Sequence, residues 1–252
     1  MPVTMKTSTC TLVVSLLIVI NASCKKESAG SNAPHKLKTY TEDITAVGIG
    51  HVSETFNISY DNQDRITSIV SSTIPGHRLE YQYKNTNEFT FEKIEDNKVT
   101  LHSAYFINSS LSLVDSFYQY NNRKDTVSMK YLYDSENRLV KQKEYLHSYL
   151  IDAPVWVNTV NYQYDLKGKL TKKADSYSEI TYRYDTIHEN TVQIEPFYFP
   201  VQQQLPTHTY TTRWGILVTT EHSYSFDDHQ RLISEKAVSS DGRVTIKTYT
   251  YQ

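Results

Sequence analysis

The sequence predicts an all-β fold, an antiparallel meander of many hairpins whose single extended sheet curls into a barrel-like or half-barrel form. Three observations predict it: alternation of aromatic and polar residues, a repeated turn motif between such stretches, and 21 tyrosines against 8 phenylalanines and 2 tryptophans. Tyrosine favours strands, as threonine and the β-branched residues do. The pattern indicates roughly fourteen to seventeen strands and no helix beyond the N-terminal segment.

Alternation is clear in the stretch 160–164. Val160, Tyr162 and Tyr164 share one face of a strand, whereas Asn161 and Gln163 share the other, because successive side chains of a strand point to opposite faces. One aromatic face and one polar face are typical of antiparallel strands with a single buried face. The same pattern recurs at 56–60, 79–83, 180–184 and 222–226.

A short motif ends several of these stretches: an aromatic residue followed by Asp, then Arg or Lys five positions after the aromatic residue, then Leu or Ile. Asp in this place accepts hydrogen bonds from backbone amides two residues on, and Asn137 and Gly168 suit a left-handed turn conformation. We interpret the Asp as a turn residue rather than a catalytic carboxylate. The four copies contain Tyr60, Asp61 and Arg65; Tyr131, Tyr133, Asp134 and Arg138; Tyr162, Tyr164, Asp165 and Lys169; and Tyr224, Phe226, Asp227 and Arg231.

This motif resembles the YD repeat of bacterial wall-associated and Rhs-type shell proteins. Its spacing also resembles a group of Bacteroidota lipoproteins of unknown function, built as a single barrel-like antiparallel meander. A weakened copy, 182–185, lacks the basic–aliphatic pair, and the glycine that YD repeats usually carry before the basic residue occurs only as Gly168. The resemblance implies an extended β-sheet and carries over no catalytic residue.

The first 23 residues have the features of a secretory signal. Lys6 supplies a positive charge, and the apolar run 12–20 is shorter than the about 20 residues that a membrane-spanning helix needs. The residues Ala22, Ser23 and Cys24 resemble the lipobox of bacterial lipoproteins, which implies cleavage before Cys24 and attachment of lipid to its sulfur. The alternative is an ordinary secretory signal with a chance cysteine.

We therefore expect a lipoprotein signal peptide at 1–23, a flexible tether at 24–39 and a single YD-repeat-like β domain at 40–252. The tether would span roughly 20 Å. These features predict a cell-envelope protein that is held on the outer membrane by a lipid anchor. They do not distinguish the periplasmic side of that membrane from the cell surface. A transmembrane barrel is disfavoured, because tyrosine prefers the bilayer interfaces to the hydrocarbon centre.

Composition and motifs argue against several classes of function. Cys10 and Cys24 are the only cysteines, so the mature chain has neither an internal disulfide nor a cysteine-rich zinc site. The 26 basic and 28 acidic residues form no basic stripe for nucleic acid. Nucleotide-binding and nucleophile-elbow motifs are missing, and the nine histidines show no metal-ligand spacing. We expect no cofactor, no metal and no catalytic residue, and His222 is predicted to pack on the aromatic face.

Two places are candidates for ligand binding. Phe197, Tyr198 and Phe199 lie between Pro196 and Pro200, where the strand pattern breaks. Irregular segments with aromatic residues often form binding loops, although we favour aromatics that fold back and plug an open end of the sheet. The second candidate is Trp156, whose indole suits stacking on a sugar ring, although burial is the favoured expectation.

The sequence favours a non-catalytic cell-envelope lipoprotein that binds or scaffolds a glycan or a protein. One alternative is a glycan-acting hydrolase with carboxylates gathered across strands. Another is an envelope-assembly protein that pairs with a partner strand through a sheet edge. A tyrosine-lined groove would favour ligand binding, whereas a filled interior would shift attention to the segment 196–206 and to the sheet edges.

Overall fold

The computed structural model describes residues 36–48, 50–120, 126–147, 154–185, 190, 192 and 204–252, and these form one closed antiparallel β-barrel. Sixteen strands follow one another around the barrel in chain order, and the last pairs with the first. The expected all-β meander is confirmed, and the sheet closes fully. The strands are β1 (Leu37–Ala46), β2 (Gly50–Tyr60), β3 (Ile66–Ser71), β4 (Arg78–Asn85), β5 (Glu88–Glu95), β6 (Lys98–Asn108), β7 (Leu113–Tyr120), β8 (Thr126–Tyr133), β9 (Leu139–His147), β10 (Val155–Tyr164), β11 (Leu170–Ala174), β12 (Ser178–Arg183), β13 (His208–Arg213), β14 (Ile216–Phe226), β15 (Leu232–Ser239) and β16 (Val244–Tyr251).

The folded domain begins earlier than the expected residue 40. Strand β1 starts at Leu37, whose side chain is only 1 % exposed. The backbone N–H of Gln252 donates to the carbonyl of Lys36 at 2.8 Å, which ties the two ends of the barrel sheet together. Within the described part of the chain, no helix is long and apolar enough to cross a membrane.

The strand connections lie at two opposite ends of the barrel, because each strand reverses the direction of the one before. The end that we call the motif end carries the chain start at Lys36 and the connections that follow even-numbered strands, including all four motif turns. The other end, the loop end, carries the connections that follow odd-numbered strands. A chain entering at Lys36 therefore enters the barrel at its motif end.

The aromatic face of the sheet lies inside the barrel. Tyr40, Tyr162 and Tyr249 are buried on this face, together with the aliphatic residues that follow the basic residues of the motifs. The polar residues that alternate with them lie on the outer wall. This confirms the predicted separation of faces and gives the barrel a filled core towards the motif end. The largest buried cluster comprises Leu37, Tyr40, Ile58, Ile66, Ile69, Val192, Leu205, Leu232 and Tyr249.

The Asp of the first motif closes its turn, as predicted. Asp61 Oδ1 accepts the backbone N–H groups of Gln63 at 2.8 Å and of Arg65 at 3.0 Å. Asp61 Oδ2 accepts a hydrogen bond from Nε of Arg65 at 2.7 Å and lies 2.7 Å from Nη2 of the same guanidinium. The residue before the arginine, Asp64, has a φ of 62°, and Asn137 and Gly168 take the predicted left-handed conformation in their own turns.

The other motif turns repeat this geometry. Asp134 and Asp227 hold Arg138 and Arg231 through both backbone and side chain. Asp165 accepts only backbone N–H groups, from Lys167 and Lys169. Partial burial opposes the negative charge on Asp61, Asp134 and Asp227, but the hydrogen bonds from the arginine backbone and guanidinium outweigh it and lower the pKa of all three carboxyls.

Each motif also contacts the next hairpin through a tyrosine. The Arg231 guanidinium lies 4.7 Å from the centroid of the Tyr251 ring, and the Tyr251 hydroxyl donates to the carbonyl of Leu232 at 2.7 Å. The basic residue thus covers the tyrosine ring. The carbonyl oxygen of the aliphatic residue that follows it accepts a hydrogen bond from the tyrosine hydroxyl. We call this arrangement the tyrosine clasp. It recurs for Arg65, Ile66 and Tyr83; for Arg138, Leu139 and Tyr164; and for Lys169, Leu170 and Tyr184.

The start of the barrel carries a related contact that the sequence analysis missed. Lys36 Nζ lies 5.6 Å from the centroid of the Tyr60 ring, and the Tyr60 hydroxyl forms a hydrogen bond with the backbone of Leu37. Lys36 and Leu37 are therefore a further basic–aliphatic pair, within the stretch expected to be a tether. A search for Lys or Arg followed by Leu or Ile just before a strand would have found it.

We expect the substitution Asp134→Ala to lower the free energy of unfolding by about 2 kcal/mol, since two backbone N–H groups and a guanidinium lose their acceptor. Urea denaturation followed by circular dichroism measures this change. The matched control is Ser135→Ala in the same turn, which removes an exposed side chain and should change stability by less than about 0.5 kcal/mol. Equal losses for the two variants would contradict the role of the Asp.

Candidate functional site

Three of the candidate ligand-binding residues, Phe197, Tyr198 and Phe199, lie outside the described residues, as does Cys24. The described residues on either side of that aromatic segment are part of the core. Val192 and Leu205 are buried in the largest cluster, and the carbonyl of Pro206 accepts the hydroxyl of Tyr224 at 2.7 Å. These positions close the interior at the motif end.

Ionisable side chains continue the inner wall towards the loop end. Glu42 follows Tyr40 on the inner face of β1, and Glu54 precedes Phe56 on that of β2. Carboxylates and basic groups meet there in pairs. We call the set the inner belt: Glu42, Glu54, His77, Lys93, Glu95, His222, Glu235 and Lys247.

His77 joins two carboxylates in the inner belt. Its Nδ1 lies 2.9 Å from Glu54 Oε1 and its Nε2 lies 3.1 Å from Glu95 Oε1, so both nitrogens are placed to donate when the ring is protonated. Burial opposes the positive charge, but the hydrogen bonds to Glu54 and Glu95 outweigh it and raise the pKa of His77. Hydrogen bonds from Lys93 and His77 lower the pKa of Glu95 to about 2.

A second set of belt contacts lies across β14, β15 and β16. His222 packs on the aromatic face as predicted: its ring is stacked at 6.3 Å on Tyr224, and its Nδ1 lies 3.2 Å from Glu235 Oε1. Burial alone would raise the pKa of Glu235, yet the hydrogen bond from His222 and the charge of Lys247 lower it. No group of three or more His, Cys, Asp or Glu among the described residues is arranged to hold a metal ion.

Aromatic residues also form a row on the outer wall. In the strand register, Ala104 of β6 lies opposite Tyr118 of β7, and Tyr118 lies opposite Ser128 of β8. Ser128 in turn lies opposite Tyr145 of β9, which lies opposite Trp156 of β10. Neighbouring strands are about 4.8 Å apart, so the line from Tyr118 to Trp156 is roughly 14 Å long. We call Tyr118, Tyr145 and Trp156, with Phe106 and Tyr120 at the margin, the outer aromatic row.

Small and polar groups support the outer aromatic row. Ala104 and Ser128 are buried at the wall between the larger side chains. The Phe106 ring meets Tyr118 edge-on at 5.9 Å, and His147 contacts both the Tyr118 ring at 6.1 Å and Ser128 Oγ at 2.6 Å. Large aromatic surfaces therefore lie next to hydroxyl and imidazole groups, a combination suited to a ligand with apolar faces and polar edges.

The expected burial of Trp156 is wrong. Its side chain is 56 % exposed, and its Nε1 donates to Thr159 Oγ1 at 3.0 Å. The reason is a register shift between Trp156 and Asn158, which changes the face on which Trp156 lies relative to Val160 and Tyr162. Strict alternation would have put the indole inside the barrel.

The other members of the row were not predicted as binding residues from the sequence, where Tyr118 and Tyr120 belong to a weakened copy of the motif, although a signal exists. Tyr105–Phe106 and Phe117–Tyr118 are adjacent aromatic pairs, which place one ring on each face of their strands. Such pairs break the alternation of aromatic and polar residues. They therefore mark a part of the outer wall that carries aromatic instead of polar side chains.

Strand pairing around the barrel bears on the alternative that the protein assembles with a partner strand through a sheet edge. Every one of the sixteen strands is hydrogen-bonded to a neighbour on each side. The described sheet thus leaves no unpaired strand edge for a partner strand, which removes the basis for assembly through a sheet edge.

No protein-family model matches the chain, and no curated protein does. Solved structures with a similar fold include a porin-like protein from Bacteroides uniformis ATCC 8492, with a TM-score of 0.64 and 13 % identity over 87 % of this chain and 98 % of that one. A porin-like protein from Bacteroides vulgatus ATCC 8482 gives a TM-score of 0.50 at 10 % identity, over 86 % of this chain and 99 % of that one. At these identities the likeness shows the shared barrel fold.

We expect the substitution His77→Gln to destabilise the protein more at about pH 5.5 than at about pH 8.5, by a difference of about 0.5–1 kcal/mol. The pKa of His77 is raised in the folded state, so its stabilisation is complete below the ordinary histidine pKa and is lost as the pH rises through the raised value. The pKa of Glu95 is lowered to about 2, so this carboxylate is ionised at both pH values.

Urea denaturation of wild type and variant at the two pH values measures this effect. His229→Gln is the matched control, since His229 is exposed in a turn and its ring has no partner among the described contacts. A loss of stability that does not vary with pH for His77→Gln would contradict the protonated bridge.

Proposed function

We propose that this protein is an exported barrel of the cell envelope, anchored by lipid at Cys24, that binds glycan on its outer wall without catalysing a reaction. The observation that carries the proposal is the outer aromatic row, with Trp156 exposed and in line with Tyr145 and Tyr118. Aromatic faces stack on the apolar faces of sugar rings, while adjacent hydroxyl and imidazole groups reach the sugar hydroxyls.

The N-terminal segment supports the envelope location. Its signal-like residues lead to Cys24, and the fold is shared with porin-like proteins from Bacteroides. Lys36 lies at the motif end, and a flexible stretch from Cys24 to Lys36 would span roughly 20 Å. An anchor at Cys24 would keep the motif end near the membrane and leave the loop end, where Trp156 lies, facing away from it.

The composition of the outer wall supports a barrel that stands beside the membrane. At the closure between β1 and β16, the outer face carries Thr39 and Thr41 opposite Thr250 and Thr248. On β4 it carries Arg78 and Glu80, which form an ion pair at 2.7 Å. Strands that face hydrocarbon need apolar side chains over about 25 Å of height. The tyrosines of the alternating stretches lie on the inner face of this barrel instead.

The inner belt supports a role without catalysis. It gathers carboxylates across strands, as a glycan hydrolase would require, but Glu95 and Glu235 have lowered pKa values. A glycosidase needs one carboxyl whose pKa is raised, so that it can donate a proton to the leaving group. The contacts of these two residues with His77, Lys93 and His222 fit ion pairing within the wall.

We expect the full-length protein to be retained by at least one polysaccharide in a panel of neutral and acidic chains, and Trp156→Ala to weaken that binding about tenfold, or about 1.4 kcal/mol. Affinity electrophoresis measures the retention, and titration calorimetry measures the affinity. Loss of the indole removes a stacking surface from the row and leaves the core intact.

Trp214→Ala is the matched control. Trp214 is the only other tryptophan of the chain, and it is 72 % exposed in the turn between β13 and β14, away from the outer aromatic row. Its removal should leave binding unchanged. Retention by no polysaccharide, or equal weakening by both substitutions, would contradict the proposed function.

A further inference from the structure

Three lysines lie on the outer wall next to the outer aromatic row. Lys130 of β8 lies opposite Lys143 of β9, one step along the same face from the pair formed by Ser128 and Tyr145. Lys141 lies one further step along β9. A step of two residues along a strand is about 6.8 Å. The lysines therefore form a second line, parallel to the row and within reach of the same extended ligand.

No carboxylate on these strands neutralises the lysines. The only acidic residues in β7 to β10 are Asp115 and Glu144. Glu144 lies opposite Met129 on the inner face, and Asp115 lies at a register shift in β7, where its charge acts on Tyr133. Among the described residues, no ion pair involves Lys130, Lys141 or Lys143.

Two lysines elsewhere on the outer wall have acidic partners. Lys84 pairs with Glu88 at 2.8 Å, and Lys172 pairs with Glu179 at 2.6 Å. A lysine directly opposite another lysine is unfavourable for the sheet, because like charges in a cross-strand pair repel. The pair of Lys130 and Lys143 is therefore an arrangement that the fold does not need, and an anionic ligand would relieve its repulsion.

We propose that the glycan bound by the outer aromatic row is an acidic polysaccharide, whose carboxylate or sulfate groups contact Lys130, Lys143 and Lys141. This inference rests on the proposed function and names its ligand class. The line of three lysines is a local positive charge on a chain whose net charge is −2, so it favours binding of a negatively charged ligand at this place. Sugar rings lie along the aromatic row, and their acidic groups project onto the lysines.

The placement favours a polysaccharide over an anionic lipid surface. Residues that hold a protein at a bilayer interface form a belt at one height around a barrel. Here the outer aromatic row and the three lysines lie together on the side formed by β6 to β10. An extended chain matches a strip about 14 Å long, crossing four strands.

The test measures binding of the full-length protein to a uronate polysaccharide (alginate), a sulfated one (chondroitin sulfate), a neutral one (laminarin), and vesicles of phosphatidylglycerol and phosphatidylcholine. We expect the acidic chains to bind at least tenfold more tightly than the neutral one. The double variant Lys130→Gln/Lys143→Gln should weaken acidic binding about tenfold and reduce its dependence on salt.

The matched control is Lys98→Gln/Lys236→Gln, which removes the same charge from exposed positions on other strands and should bind as the wild type does. Because the substituted lysines repel each other, Lys130→Gln/Lys143→Gln should unfold at the same temperature as the wild type or higher. If this variant loses binding but unfolds at the wild-type temperature or higher, the loss comes from the missing lysine contacts and not from a failure to fold.

Three results would overturn the inference. Equal binding of neutral and acidic chains, dependent on Trp156 but not on the lysines, would keep the proposed function and remove the acidic ligand. Binding to the phosphatidylglycerol vesicles alone would assign the strip to a membrane surface. Binding to none of these polysaccharides and vesicles would remove both the acidic ligand and the proposed function.

Discussion

The tyrosine clasp is the interaction on which the rest of this barrel depends. In three of the four motif turns the Asp holds an Arg, and in all four the basic residue lies over the tyrosine of the next hairpin. The hydroxyl of that tyrosine bonds to the carbonyl next to the Arg, as Tyr251 does with Leu232. A local turn motif thereby connects neighbouring hairpins and fixes their register. Register decides which face of each strand is inside, since a shift by one residue would exchange the two faces.

A core filled towards the motif end, with paired charges beyond it, moves the candidate for ligand binding from the lumen to the outer wall. The tyrosines that dominate the composition serve as core, with burial raising the pKa of Tyr60, Tyr164 and Tyr182 to about 12, so these hydroxyls stay neutral. The inner belt pairs its own charges. What remains for recognition is the side of the barrel where β6 to β10 place aromatic residues outward, bordered by lysines that form no ion pair within the described part of the chain.

Much of the fold is predictable from the sequence because its signals are local. The alternation at Tyr162 and Tyr164 and the turn at Asp134 each lie within a few residues of chain. Contacts between distant residues are not predictable in this way. Lys36 meets Tyr60, and His77 joins Glu54 to Glu95, only after the strands are in register. The exposure of Trp156 was not predicted because a register shift between Trp156 and Asn158 interrupts the alternation. No residue type in β10 indicates that shift.

The most direct test of this account is a double-mutant cycle between Arg231 and Tyr251, with Arg231→Gln and Tyr251→Leu measured singly and together by urea denaturation. The clasp predicts a coupling free energy of about 1 kcal/mol, because the guanidinium lies over the ring and the loss of either partner removes the same contact. A coupling indistinguishable from zero would contradict the clasp, and would leave the motif as a set of independent turns that do not determine how the hairpins join.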